Sequence, residues 1–159
     1  MPADRLTPDE CADLGSLAEL VDCRRVRLYR RAGGPAGWFR SVVLRASRSR
    51  AVALGNHIFL PDPCSGDLPV LAHELTHCAQ YQAWGARRYI ARGMLAQLKD
   101  LLHRSFGIGA SPYRYNNEPE KPFSAYGMEQ QGQIVEDCFR GHPAAQNLSP
   151  FQPGRSVGD

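Results

Sequence analysis

No two cysteines in this 159-residue chain are spaced Cys-x-x-Cys, and its five cysteines (Cys11, Cys23, Cys64, Cys78 and Cys138) are odd in number and widely scattered. Neither a disulfide framework nor a structural zinc knot is therefore expected, and reduced core residues are the simpler reading. Lysine is nearly absent, at 2 residues against 17 arginines. No run approaches 18 apolar residues, so no membrane span is expected. The opening Met1-Pro2-Ala3-Asp4-Arg5 lacks a basic segment followed by an apolar one, so no Sec-type signal is expected either. The expectation is a protein that is cytoplasmic as synthesised, with any export independent of a Sec signal.

Acidic residues are missing from one long stretch. Between Asp22 and Asp62 there is none, while Arg24, Arg25, Arg27, Arg30, Arg31, Arg40, Arg45, Arg48 and Arg50 all fall there. Such a segment can meet nucleic acid, an acidic protein or an anionic surface. Because Arg dominates throughout and alternates here with apolar residues, a solvated strand face is favoured, ahead of a protein-docking surface and well ahead of nucleic acid.

With 43% hydrophobic and 22% charged residues, the chain suits one folded domain and is neither repetitive nor disordered in composition. Its most informative feature is His73-Glu74-Leu75-Thr76-His77. On a helix, residues four apart lie about 40° apart around the axis and one turn along it, so both imidazoles project from one face and can chelate one ion. Glu74 falls beside that ion, placed to take a proton from water. Leu68, Val70, Leu71, Ala72, Leu75, Cys78 and Ala79 would bury the helix, and Asp67 sits where a carboxylate suits its first amides. Cys78 points about 100° away from His77, which assigns it to packing.

Elements follow from local signals. Thr7, Pro8 and Glu10 form a capping-box start for a first helix from about 8 to 21. Val26 to Arg30 alternates as a strand, and 51–54 with 57–60 forms a hairpin about Gly55-Asn56. The motif helix should span about 67–83 and a second long helix about 87–105, with Tyr89, Ile90, Met94, Leu95, Leu98, Leu101 and Leu102 as a core stripe. A third helix covers the region from Pro122 to Phe139. The fold class is α+β, a small antiparallel sheet followed by the motif helix and two further helices, in one domain over about residues 1–145 with a flexible tail over 146–159.

A catalytic zinc takes three protein ligands and keeps one position open. Tyr81 and Ala83 rule out a histidine extension of the metzincin type. A carboxylate on the later helix remains, and Glu129 is preferred because it follows a loop able to swing it inward. Glu136, two turns on, is an alternative ligand or a hydrogen-bond partner of a histidine. His103, His142 and His57 also remain open, although His103 suits a helix C-terminus. Tyr81, Tyr115 or Tyr126 could donate to an oxyanion, and nothing separates them.

The run Leu71-Ala72-His73-Glu74-Leu75-Thr76-His77-Cys78-Ala79-Gln80-Tyr81-Gln82, with Tyr126-Gly127-Met128-Glu129-Gln130-Gln131-Gly132 some fifty residues on, resembles small bacterial zincin-like metallopeptidase domains. Those domains are encoded near contractile injection and type VI secretion machinery and among polymorphic toxins. The resemblance covers roughly residues 50 to 140 and implies a Zn2+ site of His73, His77 and Glu129, with Glu74 as catalytic base. Cys78 stands where Val is common and Gly132 where Ala is common, differences expected to touch packing more than chemistry.

The implied activity is zinc-dependent hydrolysis of peptide bonds, with amides of cell-wall peptide as a narrower variant, in a secreted effector or toxin-system component. The alternative is a catalytically silent cargo or assembly module of an injection system, supported by the Arg-rich segment and the small size. Expected partners are a peptide or protein substrate and a secretion-machine, immunity or inhibitor protein.

Overall fold

The computed structural model describes residues 3–30, 37–47, 49–118 and 120–154. Among these the chain is α+β, with seven helices around one small sheet. The helices are α1 (Pro8–Leu14), α2 (Ser16–Leu20), α3 (Gly37–Ala46), α4 (Leu68–Trp84), α5 (Ala86–Phe106), α6 (Met128–Phe139) and α7 (Pro143–Leu148). The strands are β1 (Arg27–Tyr29), β2 (Val52–Leu54) and β3 (His57–Phe59).

The capping box forms as expected, with the Thr7 amide on Glu10 Oε2 at 2.9 Å and the Glu10 amide on Thr7 Oγ1 at 3.2 Å. The single helix expected over 8–21 is nevertheless two. Gly15 takes φ +53°, and a β-carbon there would lie 2.7 Å from the carbonyl of Gln152, so the break accommodates the chain's far end.

The hairpin forms in the expected register, Leu54 opposite His57 across Gly55-Asn56. The sheet is mixed, however, not antiparallel: its order is β1-β3-β2, and β1 runs parallel to β3. A parallel pair needs a long crossover, and residues 30–51 supply it with a helix, α3, where the Arg/apolar alternation suggested a strand face. Arg40, on α3, is buried. Its Nε donates to the carbonyls of Tyr29 and Leu60 at 3.2 and 3.1 Å, and its Nη2 to Leu60 O and Asp62 Oδ1, both at 2.7 Å. One guanidinium thus ties the ends of β1 and β3 to the crossover helix.

Helix α4 is the core element. Asp67 caps it through the Val70 amide at 3.1 Å, and Gly85 (φ +77°) ends it. Leu71, Ala72, Leu75, Cys78 and Ala79 pack among Leu14, Leu17, Leu28, Ile58 and Val135. Cys78 is fully buried, and burial pushes its thiol up, in keeping with a packing role.

The core stripe expected on α5 is a correction. Tyr89 is buried and its hydroxyl donates to Ala53 O at 2.9 Å, but Ile90, Met94, Leu95, Leu98 and Leu101 are each more than half exposed. The spacing was helical, yet no described element covers that face. Residues 146–154, assigned from sequence to a flexible tail, lie against the domain. Phe151 packs edge-on to Phe123, and the Gly154 amide donates to Asp13 O at 2.8 Å. Residues 155–159 fall outside the described residues.

Replacing Arg40 with Met should lower unfolding stability by about 2–3 kcal/mol, because it leaves the buried Leu60 carbonyl without the guanidinium donors that serve it. Asp62→Asn, which touches only the exposed end of this network, should change it by less than about 1 kcal/mol. Urea titration followed by circular dichroism reads both, and equal losses would show that the salt bridge rather than the carbonyl bonds matters.

Candidate metal centre

Helix α4 presents its motif residues to α6. His73, Glu74 and His77 are all buried, and Glu129 in the first turn of α6 is nearly so. Glu129 Oε2 lies 3.5 Å from His77 Nε2 and 3.9 Å from His73 Nε2. All three donor atoms fall within 4.8 Å of one another. A tetrahedral ion with bonds of about 2.0–2.1 Å needs its ligand atoms roughly 3.4 Å apart, so the donor set and spacing fit a zinc ion.

The far sides of both rings are held. His73 Nδ1 lies 3.0 Å from Glu136 Oε2, and Glu136 in turn accepts from Arg140 at 2.9 and 3.2 Å. Arg140 also reaches Asp67, the cap of α4, at 3.3 Å. His77 Nδ1 lies 2.8 Å from Gln80 Oε1. The amide nitrogen of Gln80 donates to Met128 O (3.2 Å) and Gln131 Oε1 (2.9 Å), and Gln131 donates to Tyr126 O (2.9 Å). Gln80 must therefore accept from His77, which puts a proton on Nδ1 and turns Nε2 toward Glu129.

Gly132 sets how closely the helices approach. A β-carbon there would stand 2.8 Å from His73 Nε2, so the absent methyl borders the nitrogen that faces Glu129. The expectation that this glycine concerns packing thus acquires a place: the packing constraint lies directly against a candidate ligand.

Without an ion the cluster balances charge internally. Burial opposes a charged His73, but hydrogen bonds to Glu129 and Glu136 and the nearby Glu74 lift it to about 10. Burial likewise opposes a charged His77, and Glu129 overrides it, so His77 also lies above its ordinary value. Burial would raise Glu129, yet the two histidines hold it far below the usual carboxylate range. Glu74 moves the other way: burial pushes its carboxyl up, and its Oε2 has no hydrogen-bond partner.

The remaining candidates sit elsewhere. His103 Nδ1 lies 2.9 Å from Gly109 O, His57 pairs with the Tyr29 hydroxyl at 3.0 Å, and His142 begins α7. Tyr115 donates to Asp137 at 2.7 Å and Tyr126 to Asn116 O at 3.0 Å, so both hydroxyls are engaged, while Tyr81 packs edge-on against Tyr89. Sequence reasoning missed the role of Gln80 and took Gln131, with Gln130 and Gln133, only as polar surface near the site. The signal was present, since Gln80 follows His77 by three residues, one turn along the same face.

The model of the eCIS core domain family matches residues 40–85, from the buried Arg40 to the glycine that ends α4. That match links the chain to contractile injection systems. It takes in His73, Glu74 and His77 and stops short of α6. No curated protein and no solved structure matches the chain.

Purified protein should carry about one zinc per chain, and Glu129→Gln should abolish stoichiometric binding. Glu136→Gln, which removes the charge beside His73 Nδ1 and its ion pair with Arg140 but no candidate ligand, should weaken affinity by about 10–100-fold. Chelator competition measures both, and a larger loss at Glu136 would move the third ligand there. Affinity should also rise with pH between about 6 and 8. His73, lifted to about 10, holds its proton at neutral pH, and His77 is shifted in the same direction; protons on the imidazoles must leave before they can bind a cation. An affinity flat across that range would exclude them as ligands.

Proposed function

We propose that the protein is a zincin-like, zinc-dependent metallopeptidase domain that hydrolyses peptide bonds as a component of a contractile injection system. The observation that carries this reading is Glu74: a buried carboxyl, pushed toward neutrality by burial, with one oxygen unpartnered, on the helix that presents both histidines. Zinc held by His73, His77 and Glu129 would supply Lewis acidity, polarising a scissile carbonyl and acidifying water.

The chain's own residues supply the rest. Glu74 accepts a proton from the attacking water and returns it to the departing amine, and a carboxyl raised toward the working pH serves both directions. Gln80 and Glu136 fix the two rings so that Nε2 faces the cation. With its carboxylate between the two Nε2 atoms, Glu129 completes the donor set. The reading includes synthesis in the cytoplasm and, for an effector, delivery by the injection machine to a peptide or protein target.

A second reading, a silent assembly module, is favoured by one observation. The family match ends before Glu129, and on α3, where the match begins, Val42 and the two residues just ahead of the match, Trp38 and Phe39, are exposed beside Arg45. That surface suits a protein partner more than catalysis.

Glu74→Gln should keep the helical signal and the zinc content while lowering cleavage of a peptide library by a factor of about 100 or more. Wild-type protein that holds zinc and cleaves nothing, or a Glu74→Gln variant as active as wild type, would sink the peptidase reading and leave the assembly module.

A further inference from the structure

A cleft of about 580 Å³ opens between α5 and the segment leading into α6, and Glu129 lies in its wall. That volume suits several residues of an extended peptide. Arg92, Leu95 and Lys99 stand on one face of α5, at positions i, i+3 and i+7, and Ile108 and Met128 contribute apolar surface to the same cleft.

Its charge is one-sided. Arg92 and Lys99 are the cations lining it, and the one acid, Glu129, turns its carboxylate to the histidines. Neither cation has an ion pair among the described residues. Arg92 is steadied over the Trp84 ring at 4.2 Å, and Lys99 is exposed. The two lie about 10 Å apart along the helix, close to the roughly 9 Å that separates residues i and i+3 of a polyproline II segment, whose side chains share one face.

We propose that this cleft binds an extended peptide in the polyproline II conformation, carrying two carboxylate side chains three residues apart on one face, with apolar side chains between them. As an assignment of substrate class it rests on the metallopeptidase reading, because Glu129 joins the cleft to the metal centre. A second copy of the chain fits poorly. The one acid on α5, Asp100, is buried and paired with Arg104 at 2.9 Å, so α5 against itself would set Arg87, Arg88 and Arg92 facing Lys99 and Arg104. Nucleic acid fits poorly too, since the aromatic residue lining the cleft, Tyr126, is buried and offers no face for a base.

The test uses full-length Glu74→Gln protein and fluorescein-labelled octapeptides of Ala and Leu that carry an Asp, Asn or Lys pair at positions 3 and 6, read by anisotropy. The Asp peptide should bind about five- to tenfold tighter than the Asn peptide, and the double change Arg92→Glu, Lys99→Glu should reverse the order in favour of Lys. If the double variant loses helicity, Lys99→Gln reads the same preference and should reduce it by about threefold. Equal binding of Asp and Asn peptides, or a preference untouched by both variants, overturns the proposal. So does sedimentation with phosphatidylglycerol vesicles without binding of any peptide. Acid-selective binding while wild-type protein leaves every bound peptide intact would sink the hydrolytic reading and leave the cleft standing. Cleavage indifferent to the Asp pair would do the reverse.

Discussion

Four ionisable side chains, His73, Glu74, His77 and Glu129, are buried in the contact of α4 with α6, and the rest of the structure is organised around making that tolerable. Bringing such groups out of water costs several kcal/mol for each ion unless partners compensate. Glu129 between two raised histidines provides that compensation in the metal-free protein, and a divalent cation would provide it by replacing their protons. Gly132 allows the approach, and the two hydrogen-bond chains, through Gln80 and through Glu136, hold the rings once there. The apolar face of α4 fixes its other side against the sheet and α1, so the helix cannot rotate away from the cluster.

What the sequence made legible was whatever depended on neighbours within a turn or two. The i, i+4 histidines, the Asp67 cap, the Thr7/Glu10 capping box and the hairpin about Gly55-Asn56 are local, and each stands as read. What depended on distant contacts was not legible. Gly15 breaks a continuous helical pattern because Gln152, far away in sequence, lies over it. The apolar spacing of α5 identifies a helix correctly but says nothing about whether another element will cover it. Glu129 was reached by eliminating alternatives, whereas Gln80, on the motif helix itself, was passed over because its role requires Met128 and Gln131 to restrain its amide.

The arginine-rich stretch illustrates the same limit with charge. Counted along the chain it is one basic block, but in three dimensions it is divided. Arg40 is consumed inside the fold by backbone carbonyls. Arg27 donates to the carbonyls of Arg24 and Val26 at 2.6 and 2.9 Å, and Arg30 pairs with Glu10. Arg24, Arg25, Arg45 and Arg50 are exposed and fit the solvated reading, while Arg31 and Arg48 lie outside the described residues. Arg-for-Lys usage matters here, because a planar guanidinium can satisfy several carbonyls at once and a lysine ammonium in the place of Arg40 could not match that geometry. The electrostatic case for nucleic acid weakens accordingly, while the cations of α5, spread along an uncovered apolar face, become the more consequential ones.

The competing readings differ most in what they make of Glu74. A buried carboxyl with an unpartnered oxygen costs roughly 1–3 kcal/mol, offset only in part by the neighbouring His73 and His77. Glutamine or an apolar residue would serve a purely structural helix better, since neither carries a charge that burial must suppress. A metal held only for stability would also gain from a fourth protein ligand, whereas the cluster brings three donors together and leaves Glu74 aside. Polar groups kept at a local cost concentrate where chemistry uses them. On that reasoning the buried, unpartnered Glu74 counts toward the proposed hydrolysis over scaffolding, and it places the catalytic question on a single carboxyl that neither the sheet nor the outer helices need.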